Sequence, residues 1–215
     1  MNEILNKYPL INLLNVSRET CLDFENYASM IVEKNKEINI VSKATANEEM
    51  IMNRHVIDSA QVFDFIDLNN NRTVDIGSGA GFPGIVLAIM MKNLNNNQKI
   101  ILYEKSHHKS AFLRNISRKL NLNTEVIQKD IFEAKDLKSD SIVTRAFKPL
   151  PIVLDMVHKN FGKYKNLILF MGNSGAKILE ETLKYWDIDF EKKKSITDEN
   201  SFLLNIKNIK KKDNN

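Results

Sequence analysis

The chain has 215 residues, of which 43% are hydrophobic, and a formal net charge of +4. This length and composition exclude global disorder and suit one α/β domain with a short terminal extension, although two small domains would also fit. The only cysteine is Cys21, which excludes an internal disulfide, a CxxC zinc site and a two-cysteine mechanism. The mildly basic charge is compatible with a nucleic-acid partner, but a lysine-rich composition alone would also produce it.

The sequence gives no sign of membrane association. No segment reaches the roughly 18–20 uninterrupted apolar residues that a membrane span requires. The first ten residues, MNEILNKYPL, lack the charged and then apolar layout of a signal peptide. We therefore expect a cytoplasmic protein without a membrane partner.

The first seventy residues favour helices. Apolar positions recur at helical spacing over residues 2–15 and 17–38, and two further short helices are predicted at 46–53 and 54–66. The sequence therefore predicts an N-terminal helical extension over residues 1–70.

The pattern changes after this extension, where short β-rich runs alternate with helical stretches. The predicted strands are 73–76, 99–104, 124–128, 141–144 and 166–171, and the predicted helices are 83–92, 108–120, 151–161 and 175–186. Such alternation predicts an α/β fold with a doubly wound, mostly parallel sheet. Residues 187–196 and 201–209 flank a TDEN turn and predict a terminal antiparallel hairpin. A sheet closed in this way resembles the class I (Rossmann-like) methyltransferase fold, with a core at 71–209 and a basic, frayed tail at 210–215.

A glycine-rich turn, DIGSGAGFPG, begins at Asp75 directly after the first predicted strand. A dinucleotide fingerprint, GxGxxG, would need glycine at the position of Phe82. The observed GxGxG pattern instead favours S-adenosylmethionine, which carries a sulfonium and an amino-acid tail but no phosphate. The backbone of Gly77, Gly79 and Gly81 can approach that tail closely, and Asp75 can hold its ammonium group directly or through water.

Two later strand ends have the residues that the rest of such a cofactor requires. Glu104 ends the second predicted strand, where the ribose hydroxyls should lie, although a surface carboxylate is the structural alternative. After the third strand, Asp130, Ile131 and Phe132 could enclose the adenine, although apolar residues there more often belong to the core. Together with the glycine turn, these positions predict an S-adenosylmethionine-dependent methyltransferase.

Some substrates of such enzymes are disfavoured. Methylation of carbon-5 of a pyrimidine needs a cysteine nucleophile, and Cys21 lies far in sequence from the usual strand-end position. Methylation of exocyclic amines usually relies on a Pro-Pro loop, which the chain lacks. A protein or a small molecule remains possible on spacing alone. His107, His108 and His158 lack partners at metal-ligand spacing, so no metal site is expected.

Five segments carry a resemblance to a known family. They are NKEINIVS at 35–42, RHVIDS at 54–59, DIGSGAGFPGIVLAI at 75–89, EKSHHKSAFLR at 104–114 and TRAF at 144–147. In this order and spacing they resemble the bacterial 16S ribosomal RNA guanine-N-7 methyltransferases (RsmG, also called glucose-inhibited division protein B), over about residues 20–185. That family methylates nitrogen-7 of one guanine in the decoding region. The resemblance thus implies S-adenosylmethionine and 16S rRNA, and we expect a monomer acting on a small-subunit particle.

The resemblance also implies roles for individual residues. Gly77 and Phe82 fall on the family's cofactor contacts, and Ile131 and Phe132 fall on its adenine-flanking pair. The family usually has arginine where this chain has Asp130, and Lys-Gly where it has Met171-Gly172. Both replacements remove positive charge from the expected substrate side, so RNA contacts could instead use Lys105, Lys109 or Lys129.

Three further residues fall on positions implicated in catalysis. Arg145 matches an arginine beside the cofactor and target base, although a strand-end salt bridge is the structural alternative. Asn39 and His55 match polar residues implicated in activity. His55, flanked by Arg54 and Asp58, could equally tie the N-terminal helices to the sheet. Asn39 could cap or clamp its segment, or contact RNA.

Two other functions stay open from the sequence. One is a methyltransferase of the same fold acting on a small molecule or a protein. The other is a cofactor-binding, RNA-associated module without catalysis, which the replacements Asp130 and Met171 keep possible.

Overall fold

The computed structural model describes residues 2–212, which form one seven-stranded sheet flanked by helices. The strands are β1 (Arg72–Ile76), β2 (Lys99–Tyr103), β3 (Thr124–Ile127), β4 (Ser141–Thr144), β5 (Asn166–Met171), β6 (Trp186–Lys194) and β7 (Phe202–Lys211). Their spatial order is β3-β2-β1-β4-β5-β7-β6. Strands β1 to β5 pair in parallel, and β7 pairs antiparallel with both β5 and β6. The predicted doubly wound sheet with a C-terminal hairpin is confirmed.

Helices cover both faces of this sheet. The crossover helices are α5 (Gly84–Asn93), α6 (His107–Lys119), α7 (Leu150–Asn160) and α8 (Gly175–Leu183). One apolar cluster joins α5 and α6 to the N-terminal helices, and a second lies under α7 and α8. Helix α5 is buried along nearly its whole length because the N-terminal helices cover the side that faces away from the sheet.

The N-terminal helices are α1 (Asn2–Lys7), α2 (Arg18–Glu37), α3 (Glu48–Ile51) and α4 (Ile57–Ala60). The side chains of Phe24, Tyr27 and Ile31 on α2 are fully buried in the same cluster as α5. The Tyr27 hydroxyl donates a hydrogen bond to the carbonyl oxygen of Ala80 in the glycine turn, at 2.7 Å. The helical segment therefore supports the turn as well as covering the sheet.

The helix predicted at 175–186 is too long, because α8 ends at Leu183 and β6 begins at Trp186. Two predicted helix boundaries in the N-terminal segment are also wrong. The helix predicted at 2–15 is interrupted, because α1 ends at Lys7 and a 3₁₀ helix runs from Pro9 to Leu14; proline cannot donate the hydrogen bond that would continue an α-helix. The two helices predicted at 46–53 and 54–66 form one run. Within it, a π-helical segment at 52–56 joins α3 to α4, and a 3₁₀ helix at 61–65 follows. Such π-helical turns are often found at functional sites.

The prediction of a frayed tail at 210–215 is wrong for residues 210–212. Lys210 and Lys211 belong to β7, and the ammonium of Lys212 donates to the carbonyl oxygen of Leu183 at 2.7 Å. Pairing with β6 orders this basic segment. Residues 213–215 lie outside the described residues. Within residues 2–212, no helix is long and apolar enough to cross a membrane.

Candidate active site

The glycine turn lies at the carboxyl end of β1, next to the point where the strand order reverses between β1 and β4. Ligands of open α/β sheets bind in the crevice at such a point. Gly77, Gly79 and Gly81 all have positive φ angles, of 69°, 58° and 111°. At Gly77 a Cβ atom would lie 2.3 Å from Cδ2 of Phe147, so only glycine allows that ring to pack against the turn.

Asp75 does not line the crevice but points into the protein. Its side chain is fully buried, and its Oδ2 accepts the backbone N–H of Gly84 at 3.0 Å. Its Oδ1 has no hydrogen-bond partner among residues 2–212. Burial, and to a smaller extent the charge of Glu104, raise the pKa of Asp75 to about 7. The carboxylate therefore fixes the turn to the start of α5. Direct contact with a ligand's ammonium, one of the two predicted modes, is not available in this geometry.

A first cavity of about 630 Å³ opens beside the turn, at the carboxyl ends of β1, β2 and β3. Of the predicted cofactor-binding residues, those that line it are Gly77, Gly79, Phe82, Glu104, Asp130, Ile131, Phe132 and Arg145. Asp75 and Gly81 are not among its lining residues. The predicted set is therefore largely brought together in one place.

Glu104 is held rigidly at the edge of this first cavity. Its Oε2 accepts the backbone N–H of Gly79 at 2.9 Å, and its Oε1 accepts that of Ser106 at 2.7 Å. Each carboxylate oxygen can accept a further hydrogen bond. Glu104 therefore connects β2 to the glycine turn while keeping acceptors for a ligand's hydroxyl groups.

The apolar end of the first cavity follows β3. Ile131 is buried, and the exposed ring of Phe132 stacks on Phe147 with a centroid distance of 5.8 Å. Asp130 caps this 3₁₀ turn, because its Oδ1 accepts the N–H of Phe132 at 3.2 Å. Its Oδ2 pairs with the ammonium of Lys105 at 3.3 Å, so the negative charge of Asp130 is partly offset by an adjacent lysine.

Arg145, at the end of β4, is held by three partners from the N-terminal segment. Its Nε pairs with Oδ2 of Asp58 at 3.1 Å, its Nη1 contacts Nδ1 of His55 at 2.9 Å, and its Nη2 donates to the carbonyl oxygen of Arg54 at 2.7 Å. The side chains of Arg145 and Asp58 are only 18% and 12% exposed. The salt bridge considered as an alternative therefore exists, and the same guanidinium also lines the cavity.

His55 connects Arg145 to the glycine turn. Its ring stacks on Phe82 with a centroid distance of 5.0 Å, and its Nε2 lies 3.1 Å from the hydroxyl of Thr45. Burial and the positive charges of Arg145 and Arg54 lower the pKa of His55 to about 4. The ring is therefore neutral near pH 7. Arginine can only donate, so Nδ1 is assigned as the acceptor and Nε2 as the donor to Thr45.

Asn39 does not take the predicted clamping role. Its side chain is exposed and does not line the first cavity. The clamp is Asn35, whose Oδ1 accepts the backbone N–H groups of Ile40 at 2.8 Å and Val41 at 3.0 Å. Ile40 and Val41 do line the cavity. Asn35 begins the segment NKEINIVS, so the clamp is the first asparagine of this motif and not Asn39.

A second cavity, of about 720 Å³, lies on the other side of Arg145. It shares Thr45, His55, Arg145 and Ala146 with the first cavity. The remaining wall is formed by Arg54 and Asp58, by Phe170 to Gly172 at the end of β5, by Phe202 of β7, and by residues of the β6–β7 turn, which include Asp198 and Glu199. The sequence predicts this turn but not its place at the site, because its hydrogen bonds to Asp58 and Gln61 span more than 130 residues. Within residues 2–212, no cluster of three or more potential metal ligands is present.

The chain matches the family model described as "GidB: rRNA small subunit methyltransferase G" over residues 20–205. It is similar to ribosomal RNA small subunit methyltransferase G of Pelagibacter ubique, with 62% identity over 99% of this chain and 100% of the relative. The corresponding protein of Paramagnetospirillum magneticum is 32% identical over 93% of this chain and 94% of its own length.

Solved structures show the same fold at low sequence identity. An S-adenosylmethionine-dependent methyltransferase from Aquifex aeolicus superposes with a TM-score of 0.55, 15% identity and coverage of 81% of this chain and 97% of its own. The 16S rRNA methylase RmtB gives a TM-score of 0.52, 12% identity and coverage of 89% and 75%.

The raised pKa of Asp75 predicts a pH-dependent effect of Asp75→Asn on stability. Between about pH 4 and 7, folded Asp75 keeps a proton that the unfolded chain releases, so its contribution to stability falls as pH rises through this window. Asparagine can still accept the N–H of Gly84 but carries no charge. The Tm of the variant should therefore rise relative to the wild type between pH 5 and 8, by about 2–4 °C for each kcal/mol relieved.

The difference in Tm between Asp75→Asn and wild type is measured by thermal unfolding of the protein without ligand at several pH values. Asp189→Asn, a change of the same chemistry at an exposed position on β6, serves as the control and should show a constant difference from wild type. Parallel curves for Asp75→Asn and wild type would show that the carboxylate does not titrate in this window.

Proposed function

The chain belongs to the rRNA small subunit methyltransferase G family, and from this membership we propose that it transfers the methyl group of S-adenosylmethionine to nitrogen-7 of a guanine in the decoding region of 16S rRNA. The observation that carries the proposal is the position of Arg145, which forms part of the wall of both cavities. One cavity suits the methyl donor and the other suits the target base.

The first cavity has the chemistry that S-adenosylmethionine requires. Glu104 offers carboxylate oxygens for ribose hydroxyls, and Ile131 and Phe132 form an apolar wall for a purine ring. At Gly79 an added Cβ would meet no atom nearer than 3.8 Å, so the backbone there is open to a ligand. When bound, the cofactor supplies a methyl group on a positively charged sulfur. Asp75 acts indirectly, by fixing the glycine turn that forms one side of this cavity.

The second cavity lies where the acceptor base should enter, at the carboxyl ends of β4 and β5. Nitrogen-7 of guanine has an in-plane lone pair and no proton, so no general base is needed. His55 suits such a reaction because it is neutral and both of its ring nitrogens are already engaged. The residues of this site then act by aligning the base and excluding water.

Arg145 is placed to orient the guanine. Three of its five N–H groups are taken by Asp58, His55 and Arg54, which leaves one on each Nη to donate to guanine O6. Transfer creates a positively charged purine, which an unpaired cation would disfavour. The charge of Asp58 offsets that of Arg145, and Asp198 and Glu199 add carboxylates to the same cavity.

The mouth of the first cavity suits the RNA backbone. Lys105, Lys109, Lys129 and Lys148 all line it, although Lys105 is paired with Asp130. Lysines around a cavity attract phosphates through charge without reading sequence. We propose that they take over the contacts for which the family uses the basic residues that Asp130 and Met171 replace.

We also propose the setting in which the enzyme works. The enzyme is proposed to act as a monomer. The site lies where the helical extension at 1–70 meets the core at 71–209, so both parts are needed. Exposed Asn39 stays a proposed RNA contact. A cytoplasmic small-subunit particle is the proposed substrate, because a decoding-region guanine is presented there.

Replacement of Arg145 by alanine tests the assigned role. The wild type should transfer labelled methyl groups to 16S rRNA within small-subunit particles, and Arg145→Ala should lose at least about 100-fold in rate because the base is no longer aligned. Arg72→Ala, an exposed arginine at the opposite edge of the sheet, should behave as wild type.

Circular dichroism tests whether the Arg145→Ala variant is folded, and Arg145→Lys provides a less disruptive second variant. Near-normal turnover of both variants would contradict the assignment. Transfer to small metabolites or proteins, but not to rRNA, would favour the other methyltransferase function. Cofactor binding without any transfer would favour a non-catalytic module.

The lysines at the mouth predict a salt-dependent contribution to RNA binding. The double variant Lys109→Ala/Lys148→Ala should lower the slope of log affinity against log salt by about 1.4–1.8, because two phosphate contacts are lost. The matched control is Lys138→Ala/Lys163→Ala, which removes the same charge from exposed lysines at the opposite edge of the sheet. Equal slopes for the two double variants, measured with a decoding-region RNA fragment, would refute the proposed contacts between these lysines and RNA phosphates.

A further inference from the structure

Asp58 contacts two distant parts of the fold with its two carboxylate oxygens. Oδ2 pairs with Nε of Arg145 at 3.1 Å. Oδ1 accepts hydrogen bonds from the hydroxyl groups of Thr197 at 2.7 Å and Ser195 at 3.2 Å, and from Nε2 of Gln61 at 3.1 Å. Thr197 and Ser195 belong to the turn between β6 and β7, more than 130 residues further along the chain. One largely buried carboxylate thus joins this turn to the end of β4.

The attachment of the turn to this region is not limited to side chains. Oε1 of Gln61 accepts the backbone N–H of Ile196 at 2.8 Å. Gln61 and Asp58 lie on the same helical run, so the turn is fixed to it by backbone and side-chain hydrogen bonds together. The position of Asp58 is therefore set from the side of the hairpin, independently of Arg145.

We propose that Asp58, held in place by Ser195 and Thr197, is a positioning residue for Arg145, and that the C-terminal hairpin turn thereby contributes to catalysis without contacting the cofactor. This inference rests on the proposed methyl transfer to rRNA. A guanidinium can rotate about its long side chain unless an anion fixes the Nε edge. With that edge paired to Asp58, the free N–H groups on Nη1 and Nη2 keep a fixed direction relative to both cavities.

A second ion pair provides a comparison that separates positioning from mechanical support. Lys193 on β6 contacts Asp64 in the same N-terminal helical run, but this pair is exposed and does not touch Arg145. Asp58, through Ser195 and Thr197, and Asp64, through Lys193, both attach the hairpin to the helices, whereas of the two only Asp58 contacts the guanidinium of Arg145. A purely structural role for Asp58 would therefore be shared by Asp64.

The test compares Asp58→Asn with the matched change Asp64→Asn. Asp58→Asn should lower kcat for methyl transfer to small-subunit particles by about 10- to 100-fold, because misplacement by an ångström has such an effect. The KM for S-adenosylmethionine should stay within about two-fold of wild type, because the residues lining the first cavity are otherwise untouched. Asp64→Asn should leave both constants unchanged.

Two further measurements keep the inference testable if Asp58→Asn folds poorly. The double variant Ser195→Ala/Thr197→Val removes two donors to Asp58 without touching the ion pair and should lower kcat by a smaller factor, with KM unchanged. In protein labelled with ¹⁵N-arginine, the Nε–H signal of Arg145 should be protected from exchange in wild type and Asp64→Asn, and lost in Asp58→Asn. This signal reports the position of the side chain without any activity.

The outcomes are distinguishable from those of the proposed function. If the wild type does not methylate rRNA, the proposed function fails, and the Nε–H signal still decides whether Asp58 positions Arg145. If the wild type is active, an unchanged kcat for Asp58→Asn, or an equal loss for Asp64→Asn, overturns the inference. Retention of the protected signal in Asp58→Asn overturns it as well.

Discussion

A guanidinium largely removed from water must find acceptors for its buried N–H groups or lose stability, and this requirement on Arg145 organises the carboxyl edge of the sheet. Asp58, His55 and the carbonyl oxygen of Arg54 meet it from one short helical run. The π-helical segment at 52–56 places two of these three groups on the side that faces β4. The N-terminal helices therefore do more than cover the sheet, because they supply the wall between the two cavities.

The glycine turn depends on a buried carboxyl group in a comparable way. Asp75 orders the backbone by accepting the N–H of Gly84, and burial raises the pKa of this carboxyl group to about 7. Tyr27 supports the same turn from α2, and Glu104 supports it from β2. These three side chains hold the turn in its shape, which leaves its outer backbone open for a ligand.

The sequence was sufficient for the features that follow from local periodicity and composition. Strand–helix alternation predicted the parallel sheet, the run at 187–209 predicted the hairpin, and the glycine pattern predicted the location of the first cavity. The sequence was not sufficient to predict the direction in which a particular side chain points. Whether Asp75 faces a ligand or the core, and whether Asn35 or Asn39 clamps its segment, is decided by packing between distant segments. The contacts of Asp58 with Ser195 and Thr197 could not be predicted either, because they also depend on packing between distant segments.

Methyl transfer to one guanine of 16S rRNA can be tested in cells from which the gene is deleted, by the amount of 7-methylguanosine in the decoding region of their 16S rRNA. The modification should disappear on deletion and return when the wild-type gene is supplied. Persistence of 7-methylguanosine at an unchanged level in the deletion strain would contradict it.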